Sequence, residues 1–264
     1  MSGQAPLNRP LSRRTFLDRM IAGTSGLAMA SGLTSLWSGG LSLAWAGPFA
    51  TGVESIAQPN ISGEERNTQP DIWALEVHFK PVRMVYVDLP VPESTETVRT
   101  LVWYLCYRVI NRMMPGGPTT DVAEADRPLF VPELILSTES DGKVQNYYDR
   151  VIPEAEKVIL KRERYPYKNS VDVVGPLPPL TPLKAKTEVS RDGFAMWRGV
   201  NPKIRRFQVF FCGFSNGYRR VPGPDGMEIV QRKTLSQSFW RPADEFEQRE
   251  EEIRLDDDPK WIYR

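Results

Sequence analysis

Residues 73–79 alternate strictly, with Trp73, Leu75, Val77 and Phe79 on one face and Ala74, Glu76 and His78 on the other. A period of two with one apolar face predicts a half-buried strand. A second strand is predicted over residues 84–89, bounded by Pro81 and by Pro90 and Pro92, because proline cannot donate to a ladder. Residues 101–110 are apolar on both faces and rich in aromatic and β-branched side chains, the pattern of a central strand covered on both sides. Residues 130–136 follow across a Pro/Gly-rich loop. Residues 194–200, 204–214 and 228–240 supply further strands, with Asn216-Gly217 and Asp225-Gly226 as turn signals between the last two.

The period changes once. Over residues 153–164, Ala155, Val158 and Ile159 recur at helical spacing, Pro153 suits a first-turn position, and Glu154 and Glu156 favour the positive N-terminal end. One amphipathic helix is therefore predicted, packed across an end or edge of a sheet. Residues 175–182 carry four prolines and predict an extended crossing loop. Residues 244–252 predict a short polar helix, followed by a solvated charged tail at Asp256-Asp257-Asp258 and a strand-like piece over 261–264. Seven or eight strands with one inserted helix predict a mainly β fold, a two-sheet immunoglobulin-like β-sandwich; a single barrel, open or closed, is the alternative. No period of twenty to fifty residues recurs, which excludes a repeat architecture.

Upstream of residue 71 the hydrophobic pattern lapses. Residues 47–70 are polar, with scattered Gly, Pro, Ser and Asn, and are expected to form a flexible linker that adds nothing to a single domain spanning 71–264. Before it comes the most specific motif of the chain, Ser12-Arg13-Arg14-Thr15-Phe16-Leu17, a twin-arginine export signal. The uncharged segment 20–46 behind it ends in Ala44-Trp45-Ala46, where Ala44 and Ala46 form a small-x-small cleavage site. That segment carries five glycines, five serines and two threonines, too polar a composition for a stable membrane-spanning helix. Residues 1–46 are thus expected to be a signal peptide read by the twin-arginine translocase and a signal peptidase, with a retained N-terminal anchor as the alternative. No cysteine follows the signal, so no lipid anchor is expected. The expected location is the periplasm or the exterior.

Composition narrows the partners. The chain holds 34 basic and 33 acidic residues; removing Arg9, Arg13, Arg14, Arg19 and Asp18 with the signal leaves 30 and 32, a net charge of −2. Such a protein has no electrostatic case for nucleic acid or an anionic membrane surface. The expected ligand is an unspecified protein or polymer.

Candidate chemistry is sparse. Gly213-Phe214-Ser215-Asn216-Gly217 fits the G-x-S-x-G nucleophile elbow, but the next residues, through Pro222 and Pro224, cannot continue a helix, and no histidine lies downstream. His78, the only histidine, shares a strand face with Glu76, a spacing that can form an ion pair or ligate a metal, though solvent-facing polar alternation is the plainer expectation. One histidine and two distant cysteines speak against zinc, iron–sulfur or haem centres, so no cofactor is expected. Cys106 and Cys212 lie in predicted central strands; either they pair, closing a loop of about a hundred residues, or they remain two buried thiols. Glu250-Glu251-Glu252 and the aspartate run lack the converging oxygens of a calcium loop. Trp73, Trp103, Tyr104, Tyr107, Phe210, Phe211, Phe214 and Trp240 are either core or, where exposed, platforms for sugar rings.

Residues 71–81, 103–109 and 213–219 together resemble uncharacterised exported proteins of planctomycete bacteria, over most of the chain beyond the signal. The resemblance implies a source and nothing catalytic. Two function classes follow: a non-catalytic envelope module, or an enzyme using carboxylates alone, for example on a glycan.

Overall fold

The run 101–110 is apolar on both faces because the strand containing it is covered on both sides. In a computed structural model that describes residues 55–241 and 253–264, this strand, β4 (Thr97–Ile110), is the centre of one antiparallel sheet. Along one edge of β4, β2 (Glu76–Phe79) and β3 (Arg83–Pro90) lie end to end, and β9 (Ser190–Arg198) pairs with the other edge. A short strand, β1 (Ser55–Ala57), extends the sheet beyond β2.

The second antiparallel sheet contains β6 (Glu133–Ser140), β7 (Lys143–Tyr148), β10 (Arg206–Cys212), β12 (Glu228–Trp240) and β13 (Arg254–Tyr263), in the order β7-β6-β10-β12-β13. β11 (Tyr218–Pro222) continues the line of β10 along β12. A two-stranded ladder joins β5 (Leu129–Phe130) to β8 (Gly175–Pro176). The described protein is mainly β, with antiparallel sheets and few helices.

The main core is aromatic. Phe79 meets Phe211 at 5.1 Å between ring centroids, Trp103 meets Phe207 at 5.3 Å, and Tyr107 meets Phe214 at 5.2 Å, so each contact joins a residue of the first sheet to one on or just after β10. The last two pairs meet edge-on, an arrangement that adds about 0.5–1.5 kcal/mol each beyond burial. Even-numbered residues of β4 face the other way. Val102, Tyr104 and Cys106 join Val85, Val87, Phe194 and Met196 beneath Ile152, Ala155 and Ile159. The last two belong to the long helix α2 (Pro153–Glu163), as the helical spacing predicted, with Pro153 in its first turn and Arg164 ending it in the left-handed region. The first sheet is therefore buried on both faces. Gly193 lies opposite Tyr107, and a Cβ there would sit 2.6 Å from the tyrosine hydroxyl oxygen.

Four expectations need correction. Residues 55–70 are folded: β1 pairs with β2, and the helix α1 (Gly63–Thr68) carries a complete capping box in which Ser62 Oγ accepts from Glu65 N at 3.1 Å and Ser62 N donates to Glu65 Oε2 at 2.7 Å. A six-residue helix shows no hydrophobic period; its Ser-x-x-Glu signature alone marks it. The aspartate run 256–258 lies inside β13, paired with β12 across a register shift between Ser236 and Ser238, where the Gln237 amide donates to Asp256 O and Asp257 O. Backbone pairing holds that strand, so its side chains need no apolar alternation. Residues 130–136 are divided into β5 and β6 at Val131–Pro132. β7 and β11, mostly exposed, carry no pattern that predicts them. The predicted helix at 244–252 and the run Glu250–Glu252 fall outside the described residues. So do Arg13, Arg14, Phe16, Leu17, Ala44 and Ala46.

Candidate functional site

The sequence motif that most resembles a catalytic element is a structural turn. Ser215 Oγ donates to Trp73 O at 2.6 Å and accepts from Gly217 N at 3.0 Å, and the chain proceeds into β11, not a helix. Gly213 has φ +81°, and a Cβ there would lie 2.2 Å from Val131 O. The glycines of the motif serve chain packing.

His78 and Cys106 instead lie on the outer face of the first sheet, where the strands carry a band of buried charges. Register places His78 beside Arg108 and Arg108 beside Asp192. His78 Nε2 is 2.7 Å from Glu76 Oε1, a hydrogen-bonded contact between side chains only 13% and 5% exposed, so the solvent-facing edge expected of this pair is corrected to a covered one. Arg112 grips the same carboxylate with two donors, Nε to Oε2 at 3.1 Å and Nη2 to Oε1 at 2.9 Å, and Nη2 also donates to Glu188. Burial alone would raise the Glu76 pKa, but the hydrogen bonds from His78 and Arg112 outweigh it and bring it to about 2. One rung away, Arg108 Nε donates to Asp192 Oδ1 at 2.6 Å, and Tyr165 OH donates to Asp192 Oδ2 at 2.7 Å.

The band continues under the end of α2. Glu163, the last residue of that helix, accepts from Lys80 Nζ at 2.7 Å, Tyr104 OH at 2.8 Å and Arg83 Nη1 at 3.0 Å. The Lys80 and Glu163 side chains are 2% and 1% exposed. Burial opposes ionisation of Glu163, yet its hydrogen bonds from Lys80 and Tyr104 hold its carboxyl below the ordinary range. Burial, helped by the nearby Glu163 charge, pushes the Cys106 thiol well up, so it is a poor nucleophile. Each carboxylate of the band is bound to a cation at hydrogen-bond range. The arrangement locks β2, β4, β9 and α2 together and leaves no carboxylate free to act as a base or nucleophile. Among the described residues, no group of three His, Cys, Asp or Glu side chains is placed to hold a metal ion.

Cys106 and Cys212 are both free. Cys106 faces α2 on the outside of the first sheet, whereas Cys212 follows Phe211 and so faces the outside of the second. Two sheets packed about 10 Å apart with thiols directed away from each other cannot meet disulfide geometry. The pairing alternative is therefore corrected to two free thiols.

The outer face of the second sheet is different. Inward residues Leu134, Leu136, Phe207, Val209, Leu235 and Phe239 are buried in the aromatic core. Their outward neighbours form a rung of hydrogen-bonding side chains across five strands: Asn146, Ser137, Gln208, Ser238 and Asp256. These residues line a groove of about 440 Å³ together with Glu139, Arg206 and Arg264. The parallel rung toward Tyr148 is more apolar, comprising Tyr148, Ile135 and Phe210, and the Arg264 guanidinium lies 3.8 Å from the Phe210 ring centre. No described helix packs on this face. Most of the aromatics singled out from the sequence are core, with Trp103, Tyr104, Tyr107, Phe211 and Phe214 at most 1% exposed, while Phe210 faces the groove. The groove residues were missed because serine and glutamine at outward positions look like ordinary surface. The alternation of Gln208, Ser236 and Ser238 with buried apolar residues was the available signal.

No family model, curated protein or solved structure matches the chain.

Proposed function

We propose that this chain is exported by the twin-arginine translocase, cleaved after Ala46 by a signal peptidase, and works in the cell envelope as a non-catalytic binding module. Its fold in this reading is a two-sheet β-sandwich, immunoglobulin-like in the broad sense, with α2 as the inserted helix. Contacts between the aromatic faces of the two sheets favour that description over a single barrel. The observation that carries the functional reading is the contrast between outer faces. One is sealed by α2 and saturated with ion pairs; the other carries no described helix and is crossed by a row of hydrogen-bonding groups.

The carboxylate-only enzyme fits less well. Glu139 and Asp256 line the same groove, but β6 and β13 are three strand spacings apart, roughly 14 Å. A glycosidase pair needs roughly 5–9.5 Å. Protein lacking residues 1–46 is expected to be retained on isolated envelope material and to leave ester, glycoside and peptide substrates intact. Turnover of any of these, abolished by substitution of a groove carboxylate, overturns the reading.

A further inference from the structure

We propose that the outer face of the second sheet binds a single neutral, β-linked polysaccharide chain laid across the strands; this rests on the binding-module reading and names its ligand class. The rung Asn146, Ser137, Gln208, Ser238 and Asp256 places five hydrogen-bonding side chains on consecutive strands. At the usual strand separation it is roughly 19 Å long, a linear array suited to an extended polymer, not a compact ligand. The side chains retain bonding capacity: among the first four, the described residues show one side-chain hydrogen bond, Gln208 Nε2 to Ser238 Oγ at a long 3.4 Å. Amides and hydroxyls both donate and accept, as sugar hydroxyls do.

Charge selects against other polymers. Glu139 and Asp256 balance Arg206 and Arg264 around the groove, and Arg206 Nε lies 3.8 Å from Asp256 Oδ2. A balanced site offers neither a polyanion nor a polycation a net attraction, so a neutral chain is the complementary ligand. A protein partner would require a buried apolar centre at the interface. Here Ile135 and Phe210 are buried, so the middle of the face presents polar groups, and the exposed apolar residues Val144 and Tyr148 stand at its side on the edge strand β7, at 65% and 53%. An aromatic ring flanking a row of hydroxyl and amide groups matches a sugar unit, which has an apolar ring face and a polar rim. The right-handed twist of the sheet rotates successive groups along the rung, favouring one soluble chain over a flat crystalline surface.

Calorimetric titration of the protein lacking residues 1–46 with cellohexaose and chitohexaose tests this, with maltohexaose as the coiled, α-linked comparison. Binding of at least one β-linked chain is expected, insensitive to salt and tighter than binding of maltohexaose. Ser137→Ala combined with Gln208→Ala should weaken it about tenfold. Tyr148→Ala should weaken it by a similar factor through loss of the ring contact. Both variants are expected to keep the parental thermal midpoint, because the three positions are at least partly exposed. β-linked binding that ignores these substitutions overturns the assignment of this face. Equal maltohexaose binding overturns the extended-chain argument. If neither β-linked chain binds while envelope protein retains the chain, the ligand class is wrong and the binding-module reading stands; if envelope material retains nothing either, both fail.

Discussion

Glu65 lies in the segment that shows no hydrophobic pattern, yet its removal is expected to destabilise the whole fold. Its carboxylate receives Lys233 Nζ at 2.5 Å and the Tyr263 hydroxyl, linking α1 to β12 and β13. The Lys233 side chain is 5% exposed and that of Glu65 19%. Burial raises the Glu65 pKa, but hydrogen bonds from Lys233, Tyr263 and Ser62 overcome this and lower it from 4.5 to about 2. At 1.36 kcal/mol per unit this corresponds to about 3 kcal/mol, discounted to about 2–3 kcal/mol for the partial exposure of the carboxylate. Removing one partner of a buried pair carries a similar cost, because the other charge is left without compensation. The perturbation is Glu65→Gln, and the assay is urea unfolding across a pH series. Because the folded pKa lies below the unfolded one, the Glu65 contribution is full above pH 4.5 and fades as the pH falls toward 2. The variant should therefore be about 2–3 kcal/mol less stable at neutral pH, or roughly 5–10 °C lower in melting midpoint for a domain of this size. The gap should narrow between pH 4.5 and 2. Equal stability at neutral pH, or a gap that does not change over that window, refutes the reasoning.

Protein beginning at residue 71 should lose at least as much stability as Glu65→Gln, measured by the same unfolding midpoints, since it also loses the pairing of β1 with β2. Glu163→Ala should cost about 3–5 kcal/mol by leaving the Lys80 ammonium buried beneath α2 with its main counter-charge removed, read from denaturant midpoints. Gly213→Ala should cost several kcal/mol, because a Cβ would meet Val131 O at 2.2 Å in a left-handed backbone. Replacing Arg13 and Arg14 together by lysine keeps the charge but loses the planar guanidinium fork, so fractionation should find the precursor in the cytoplasm. The purified protein, once denatured, should react with two equivalents of thiol reagent without prior reduction, as expected for free Cys106 and Cys212.

What the chain determines locally could be read directly. The double-sided apolar run in β4 and the Pro153–Glu154–Glu156 start of α2 each write their burial into a short stretch of residues, whereas the alternation around Leu75, Val77 and Phe79 predicted a half-buried strand and β2 is buried on both faces, its polar side being covered by ion-paired neighbours. That is enough for a mainly β protein with one covering helix, because periodicity records where the apolar side chains of an element lie, though not whether a polar face is also covered. Tertiary structure decided the rest. β1, α1, β7 and β13 have little apolar face of their own, and backbone ladders or a few buried ion pairs to distant strands hold them in place. Whether Cys106 and Cys212 meet depended on which outer face each strand presents, and strand alternation is silent on how two sheets are stacked. The grouping of Glu76, His78, Arg108, Arg112 and Asp192 likewise needed the pairing of β2, β4 and β9, across 36 residues for Glu76 with Arg112 and 84 for Arg108 with Asp192. The polar face became visible only with the sheet order, since five ordinary surface residues acquire a common line when strands from 133 to 263 are set side by side. Sequence spacing encodes the face of each strand; neighbouring strands are chosen by the packing of the whole chain.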